Sequence, residues 1–491
     1  MRHVLAIDQG TTGSTCLVVR DDGAVIGRAY REITQHYPTP GWVEHDAEEI
    51  FERTRDAARE AIAAAGVVPD VIGITNQRET VVMWDRATGR PVGRAIVWQD
   101  RRTAARCVEL ADRAPEVMQF TGLVVDAYFS GSKLEWMLRN VPGCASGAAS
   151  GTLAAGTIDT WLIWKLTNGA VHATDPTNAS RTMLYDINTN AWSEPLCEMF
   201  GVPRRLLPEV RPSSGDFGVA HSDHLGVAIP IRSAVGDQQS ALYGQGCWAP
   251  GEGKNTYGTG AFLLFNAGPT RPASGGGLLT TMACDAWGKP VYAVEASIFI
   301  AGAAIQWLRD GLGIIQTASE TESLARSVDS TDGVYFVPAL VGLGAPHWEP
   351  EARGTIVGLT RGTTRAHLAR AALEAMAWST ADVVDAVREF AGVRVDRLRV
   401  DGGACANNWL MQFQSDVLGV PVERPAMLET TALGAAGLAG IAAGVWATPE
   451  AFLAARAFTR FVPAHRPDQG RQGWQRAVRA ALGWARDRSI Q

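Results

Sequence analysis

The strongest constraint on the fold of this chain is a pattern that occurs twice. Near the start, Val4-Leu5-Ala6-Ile7 is a short apolar run ending in Asp8-Gln9-Gly10-Thr11-Thr12-Gly13-Ser14, after which Cys16-Leu17-Val18-Val19 resumes strand composition. Past the midpoint, Lys254-Asn255-Thr256-Tyr257 runs into Gly258-Thr259-Gly260, and Ala261 to Phe265 follows. Each stretch reads as strand, turn, strand. Each is then followed by more strand candidates and by alternating helices and strands. The pattern predicts two α/β domains of one plan with a cleft between them.

At 491 residues the chain exceeds what one hydrophobic core usually serves. The connection falls in Gly244-Gln245-Gly246-Cys247-Trp248-Ala249-Pro250-Gly251-Glu252-Gly253, rich in chain-breaking residues and suited to a hinge. The expected domains are residues 1–245 and 246–491. Asp46 is expected to cap a helix with Glu49 closing a capping box, and Ala404 to Leu418 is expected to be helical up to Gly419.

A formal net charge of −6 excludes a nucleic-acid binder that works through a broad basic surface, so any polyphosphate must be held by loops. The seven cysteines are scattered and form no Cys-x-x-Cys pair, which predicts reduced thiols and a cytoplasmic protein. Val4 to Ile7 runs straight into Asp8, so a secretory signal is not expected. Ala432 to Ala447, sixteen residues without a charge, is shorter than the ~20 needed to span a bilayer and predicts an internal helix, not membrane insertion.

Four short stretches carry chemistry. Asp8-Gln9-Gly10-Thr11-Thr12 sets a carboxylate at a buried strand end, then a glycine and two hydroxyls, a turn that offers donors to phosphate while Asp8 holds magnesium directly or through water. Gly258-Thr259-Gly260 is a second such turn, and the pair could grip one polyphosphate from both sides; alone, either also suits an ordinary hairpin. Asp401-Gly402-Gly403-Ala404-Cys405-Ala406-Asn407-Asn408 places bare backbone at a strand–helix junction, where a flat ring could lie with Asn407 at its edge, or where Asn simply caps a helix. Gly236-Asp237 delivers a carboxylate from an apolar strand.

The chain resembles the glycerol kinase branch of the FGGY carbohydrate kinase family, within the actin, hexokinase and heat-shock ATPase superfamily. The carrying residues are Asp8-Gln9-Gly10-Thr11-Thr12, Pro40 to Asp46, Gly73-Ile74-Thr75-Asn76-Gln77-Arg78-Glu79-Thr80, Ile96-Val97-Trp98-Gln99, Gly236-Asp237-Gln238-Gln239, Asn255 to Gly260 and Val400-Asp401-Gly402-Gly403. Both family signatures are met, by Tyr128 through Asn140 and by Gly354 through Glu374.

The resemblance implies two ribonuclease H-like (actin-like ATPase) domains, MgATP as phosphoryl donor and glycerol as acceptor. It implies Asp237 as general base, and Arg78, Glu79, Tyr128, Asp237 and Gln238 as polar contacts to glycerol, with Trp98 and Phe262 as apolar walls. For the nucleotide it implies Thr11, Thr12, Gly13, Thr259, Gly302, Gln306, Gly403 and Asn407, for magnesium Asp8, and for assembly a homo-oligomer, dimer or tetramer. Two departures stand out. Thr15 occupies a position where the family commonly has a basic residue, which implies weaker nucleotide binding. Gly226-Val227-Ala228 lacks the Arg of the loop that binds fructose 1,6-bisphosphate in regulated members. Two competing readings are a kinase of another small polyol or sugar and an actin- or chaperone-like ATPase switch; the latter leaves Asn76 to Glu79 and Asp237 without a role.

Overall fold

The computed structural model describes residues 1–427, 429–454, 456–465 and 468–487. In the first half, β1 (His3–Gln9), β2 (Gly13–Arg20) and β3 (Val25–Glu32) form an antiparallel meander. β4 (Val71–Asn76) lies parallel to β1, and β5 (Ile229–Gly236) parallel to β4, giving the order β5-β4-β1-β2-β3 with a short bridging strand, Val219–Ala220, outside β5. The second half contains β6 (Glu252–Tyr257), β7 (Ala261–Gly268), β8 (Leu279–Cys284), β9 (Pro290–Ile298), β10 (Arg397–Gly402), β11 (Val422–Pro425) and β12 (Phe458–Phe461). Their order is β8-β9-β7-β6-β10-β11-β12. Here β6, β7 and β9 make the antiparallel meander, and β10 and β11 follow in parallel. The five central strands of the two sheets therefore share one plan.

α1 (Ala47–Ala65) covers one face of the first sheet. Leu5, Ile7, Cys16 and Val18 point to that side, while Val4, Ala6, Leu17 and Val19 point to the other, as the two-residue period of a strand requires. Asp46 caps α1 by accepting from the amides of Glu48 and Glu49, but the expected capping box does not close. The Glu49 carboxylate turns instead to the amide and hydroxyl of Thr34 on the chain leaving β3.

α2 (Asp237–Gly244) follows β5 directly, and Gly246 and Gly251 in the connection after it both have positive φ. α3 (Arg365–Phe390) is the buried helix of the second half, packing Ala369, Leu373, Met376 and Val384 against Leu263 and Val400. The expected helix over Ala404 to Leu418 is broken: Gly403–Ala406 is a tight turn of helix, and α4 (Asn408–Leu418) restarts behind it with Asn407 as cap and Gly419 as left-handed stop.

α5 (Thr430–Ala442) lies in the second half of the sequence but seals the open face of the first sheet, where Ala432, Leu433, Ala435 and Ala436 meet Val4, Ala6, Leu17 and Val19. The approach is close enough that a Cβ on Gly73 in β4 would lie 2.2 Å from the carbonyl oxygen of Ala435, so only glycine fits. Packing thus crosses the covalent halves. Among the described residues no helix is long and apolar enough to cross a membrane.

Candidate active site

The β1–β2 turn is closed by Gly10 N–H donating to the Gly13 carbonyl at 2.9 Å. Its side chains are oriented from outside: Trp98 Nε1 donates to Thr11 Oγ1 at 2.9 Å, and Gln35 Nε2 to the Thr11 carbonyl at 2.8 Å. Thr12 is exposed at the tip and Gly13 opens β2. Asp8 is paired in register with Thr15 on β2 and Thr75 on β4, neither of which carries charge. Its carboxylate has no hydrogen bond or ion pair among the described residues, and burial, aided by the charge of Asp237, pushes its carboxyl up to about 7. A half-buried acid without a cation is a place for one. Among the described residues no group of three or more His, Cys, Asp or Glu could hold a metal, so a magnesium ion on Asp8 would complete its shell with water and phosphate oxygens.

Asp237 opens α2 at the end of β5, and its side chain remains 31% accessible. Its Oδ1 accepts from the Gln238 amide at 2.6 Å and lies 3.4 Å from Arg78 Nε. Burial raises the Asp237 carboxyl, while Arg78 and Lys254 pull it back. Arg78 and Glu79 follow β4 at the same strand end. Glu79 has φ of 63°, a strained backbone for a residue with a side chain, and its carbonyl is held by Ser130 Oγ at 2.9 Å. Tyr128 sets its ring edge against Trp98, with centroids 5.5 Å apart, and its hydroxyl has no hydrogen-bond partner among the described residues. Gln238 accepts from the buried Lys254 of β6. Phe262 is in register with Thr256 and Ser297, on the face that also carries Lys254 and Glu295, so it enters from the other half; no ring contact with Trp98 is made.

The residues of the second half expected at the nucleotide lie together around one cavity. A cavity of about 610 Å³ is lined by Thr259, Gly302, Gln306, Gly403 and Asn407, together with Arg309, Ser319 and Glu322. The short helix Gly302–Gln306 docks on the β6–β7 turn through Gly302 N–H to the Gly258 carbonyl and Ala303 N–H to the Thr259 carbonyl, each 3.0 Å. A Cβ on Gly403 would meet nothing within 4 Å, which leaves room for a flat ring against the backbone. Asn407 is less free than an edge-reading role needs: its Oδ1 caps α4 through Leu410 N–H at 2.9 Å, and its Nδ2 donates to Thr321 at 3.3 Å.

Three groups at the site were not anticipated: Arg181, Glu295 and Lys254. Arg181 Nε donates to Glu79 at 2.7 Å and its Nη2 to Glu295 at 2.9 Å, and Arg78 Nη1 donates to Glu295 at 2.6 Å. Arg181 follows the segment Thr174-Asp175-Pro176-Thr177-Asn178-Ala179-Ser180, which also steadies the strand end before Asp237. Asp175 accepts from the Thr177 hydroxyl, whose oxygen accepts from Gly236 N–H at 2.8 Å, and Asn178 exchanges hydrogen bonds with Asn76 at 3.0 and 3.1 Å. The Asp-Pro cap at Asp175 was a readable helix start, but nothing local linked it to Asp237.

The description "FGGY family of carbohydrate kinases, N-terminal domain" matches residues 3–244, and the C-terminal domain of the same family matches residues 253–443. A glycerol kinase of Rhodopirellula baltica is 54% identical over 99% of this chain and 92% of its own length, and one of Halorhodospira halophila is 54% identical over 99% and 98%. A solved Plasmodium falciparum glycerol kinase with ADP superposes with a TM-score of 0.94 at 37% identity, covering 98% of both chains. A gluconate kinase of Lactobacillus acidophilus, at 18% identity and a TM-score of 0.88, shares the fold.

Proposed function

The chain belongs to the FGGY family of carbohydrate kinases, and from that premise we propose how its cleft phosphorylates a terminal hydroxyl of glycerol with ATP, giving sn-glycerol 3-phosphate and ADP. The observation that carries the assignment of roles is Asp237: an accessible carboxylate at a helix start, raised by burial, with a guanidinium 3.4 Å away and donors from both halves around it.

In this reading the adenosine of ATP lies in the cavity against Gly403, with Gly302, Gln306 and Asn407 as its walls, and Thr259 faces the phosphates from the second half. Thr11, Thr12 and Gly13 offer hydroxyl and amide donors from the first. Asp8 would hold a magnesium ion, which neutralises phosphate charge when bound. Arg78, Glu79, the free Tyr128 hydroxyl, Asp237 and Gln238 fix glycerol by directional hydrogen bonds, and Trp98 and Phe262 flank its carbons.

As the terminal oxygen of glycerol forms its bond to the γ-phosphorus, the bond from that phosphorus to the bridging oxygen of ADP breaks, and the hydroxyl proton passes to Asp237. Most of the rate comes from aligning the oxygen in line and neutralising charge, with proton removal contributing less. The seven free, buried cysteines support a reducing compartment, the cytoplasm. The reading also includes self-association as a dimer or tetramer, checked by sedimentation.

A coupled assay of ADP release against a polyol panel at fixed magnesium and ATP tests it. Strict glycerol dependence is expected. Preference for another polyol would move the substrate, and hydrolysis indifferent to polyol would favour an ATPase switch.

A further inference from the structure

The polar groups proposed to hold glycerol all come from the first half of the chain, yet the guanidinium at their centre is held by the second. Glu295 sits on β9, in register with Leu264 on β7. Its Oε2 accepts from Arg78 Nη1 at 2.6 Å, and its Oε1 accepts from Arg78 Nη2 at 3.3 Å and from Arg181 Nη2 at 2.9 Å. Glu79 completes the group, accepting from Arg181 Nε at 2.7 Å and lying 3.8 Å from Arg78 Nε. All four side chains are 4% exposed or less. Two guanidiniums and two carboxylates cancel in charge, the condition under which such a cluster tolerates burial.

We propose that Glu295 is a positioning residue of the polyol site, acting through Arg78 on the base; the proposal rests on the functional reading above. Both Nη atoms of Arg78 are committed to Glu295, with Gln239 Oε1 a further acceptor 3.2 Å from Nη1. With those contacts made it is the Nε edge that faces Asp237, 3.4 Å away, and the second Nη2 proton remains for the substrate. Without the second carboxylate the fork is free to swing onto Asp237 and pair with it, which blunts the base and removes a donor from the substrate. Glu295 is suited to the task because, although burial pushes its carboxyl up, Arg181 and Arg78 hold it down to about 2, so it stays ionised at every working pH. Since Glu295 belongs to the second half, the polyol site is complete only when the two halves meet.

The charged groups that act on Asp237 are Arg78, Lys254 and Glu295, the last raising its carboxyl and the first two lowering it, and the charge of Asp237 in turn raises Asp8. Neutralising Glu295 therefore lowers the pH at which the base becomes active. The test compares the full-length chain with Glu295→Gln and Glu295→Asp, measuring Michaelis constants for glycerol and ATP, the pH profile of kcat and the thermal midpoint.

Glu295→Gln is expected to raise the glycerol KM about tenfold or more, as loss of a charged hydrogen-bond partner does. The ATP KM is expected to hold, the acid limb of kcat to move to lower pH, and Glu295→Asp to recover part of both. An unchanged glycerol KM with an unmoved limb would overturn the proposal. So would equal rises in both Michaelis constants with a fallen midpoint, which mark a purely structural carboxylate. If the Gln variant does not fold, the same two readouts in Glu295→Asp decide. Absence of glycerol dependence in the unaltered chain would remove the functional reading itself, whereas normal glycerol kinetics with an indifferent Glu295→Gln removes only the positioning role.

Discussion

The two sheets repeat one topology and use its most sensitive position in opposite ways. One residue before the end of the first strand stands Asp8 in the first sheet and Thr256 in the second, and their parallel neighbours are Thr75 and Asp401. The carboxylate has changed strands. Asp8 lacks any partner among the described residues, whereas Asp401 Oδ2 accepts from Gln245 Nε2 at 2.8 Å and Thr430 Oγ1 at 2.6 Å. Gln245 follows α2 and Thr430 opens α5, the helix that seals the first sheet, so Asp401 ties the second sheet to both elements that bridge the halves. The equivalent pair of strand ends thus carries an unpartnered carboxylate in one half and, in the other, a carboxylate tied through Oδ2 while its Oδ1 stays buried without a partner. What separates them is the supply of donors nearby, since a carboxylate drawn away from water without donors is held in a costly state that a ligand can relieve.

The sharpest way to break this comparison is to remove the carboxylates one at a time. Asp237→Asn, which removes the proposed base, is expected to lower kcat about 10²–10⁴-fold with little change in the ATP Michaelis constant, read by coupled ADP release. Asp8→Asn should cost roughly 10–100-fold and raise the magnesium concentration needed for half-maximal rate. Asp401→Ala should act on stability instead, leaving the Gln245 and Thr430 donors unpaired at a cost of about 1–3 kcal/mol, seen as a lower denaturant midpoint.

A subtler contrast lies in pH. The folded value for Asp8, about 7, stands above its ordinary 3.8, so between them the folded chain keeps a proton that the unfolded chain has released. The contribution to stability is full below about pH 4 and is lost as pH rises toward about 7. In magnesium-free buffer, Asp8→Asn should flatten that decline and stabilise the chain at neutral pH, the reverse of Asp401→Ala. The smallest effect is expected from Thr15→Arg, which puts a cation in register with Asp8; a reduction of a few-fold in the ATP Michaelis constant is expected, from the modest strength of a partly exposed charge contact. An unchanged constant would reject the view that Thr15 weakens nucleotide binding.

Much of the architecture was legible because it is written in short periods. The apolar runs at Val4 to Ile7 and Val71 to Thr75, the turn at Gly10 to Gly13 and the cap at Asp46 depend on neighbours a few residues away. Where a capping side chain had a competitor, local reading failed: Glu49 prefers Thr34, and Asn407 caps α4. Arg78, Glu79, Asp237 and the cavity residues were named through the resemblance to the family, whose motifs survive in one dimension.

What the chain alone determined was the doubled strand–turn–strand plan, its two glycine turns and the acid at the start of α2, each set by residues adjacent in sequence. Only the tertiary structure decided that Glu295, 217 residues from Arg78, holds the same guanidinium that faces Asp237, and that α5 returns to close the first sheet. Both depend on charges and apolar faces meeting across the cleft. Sequence distance carries no record of such meetings, because their free energy depends on burial that exists only once both halves have folded.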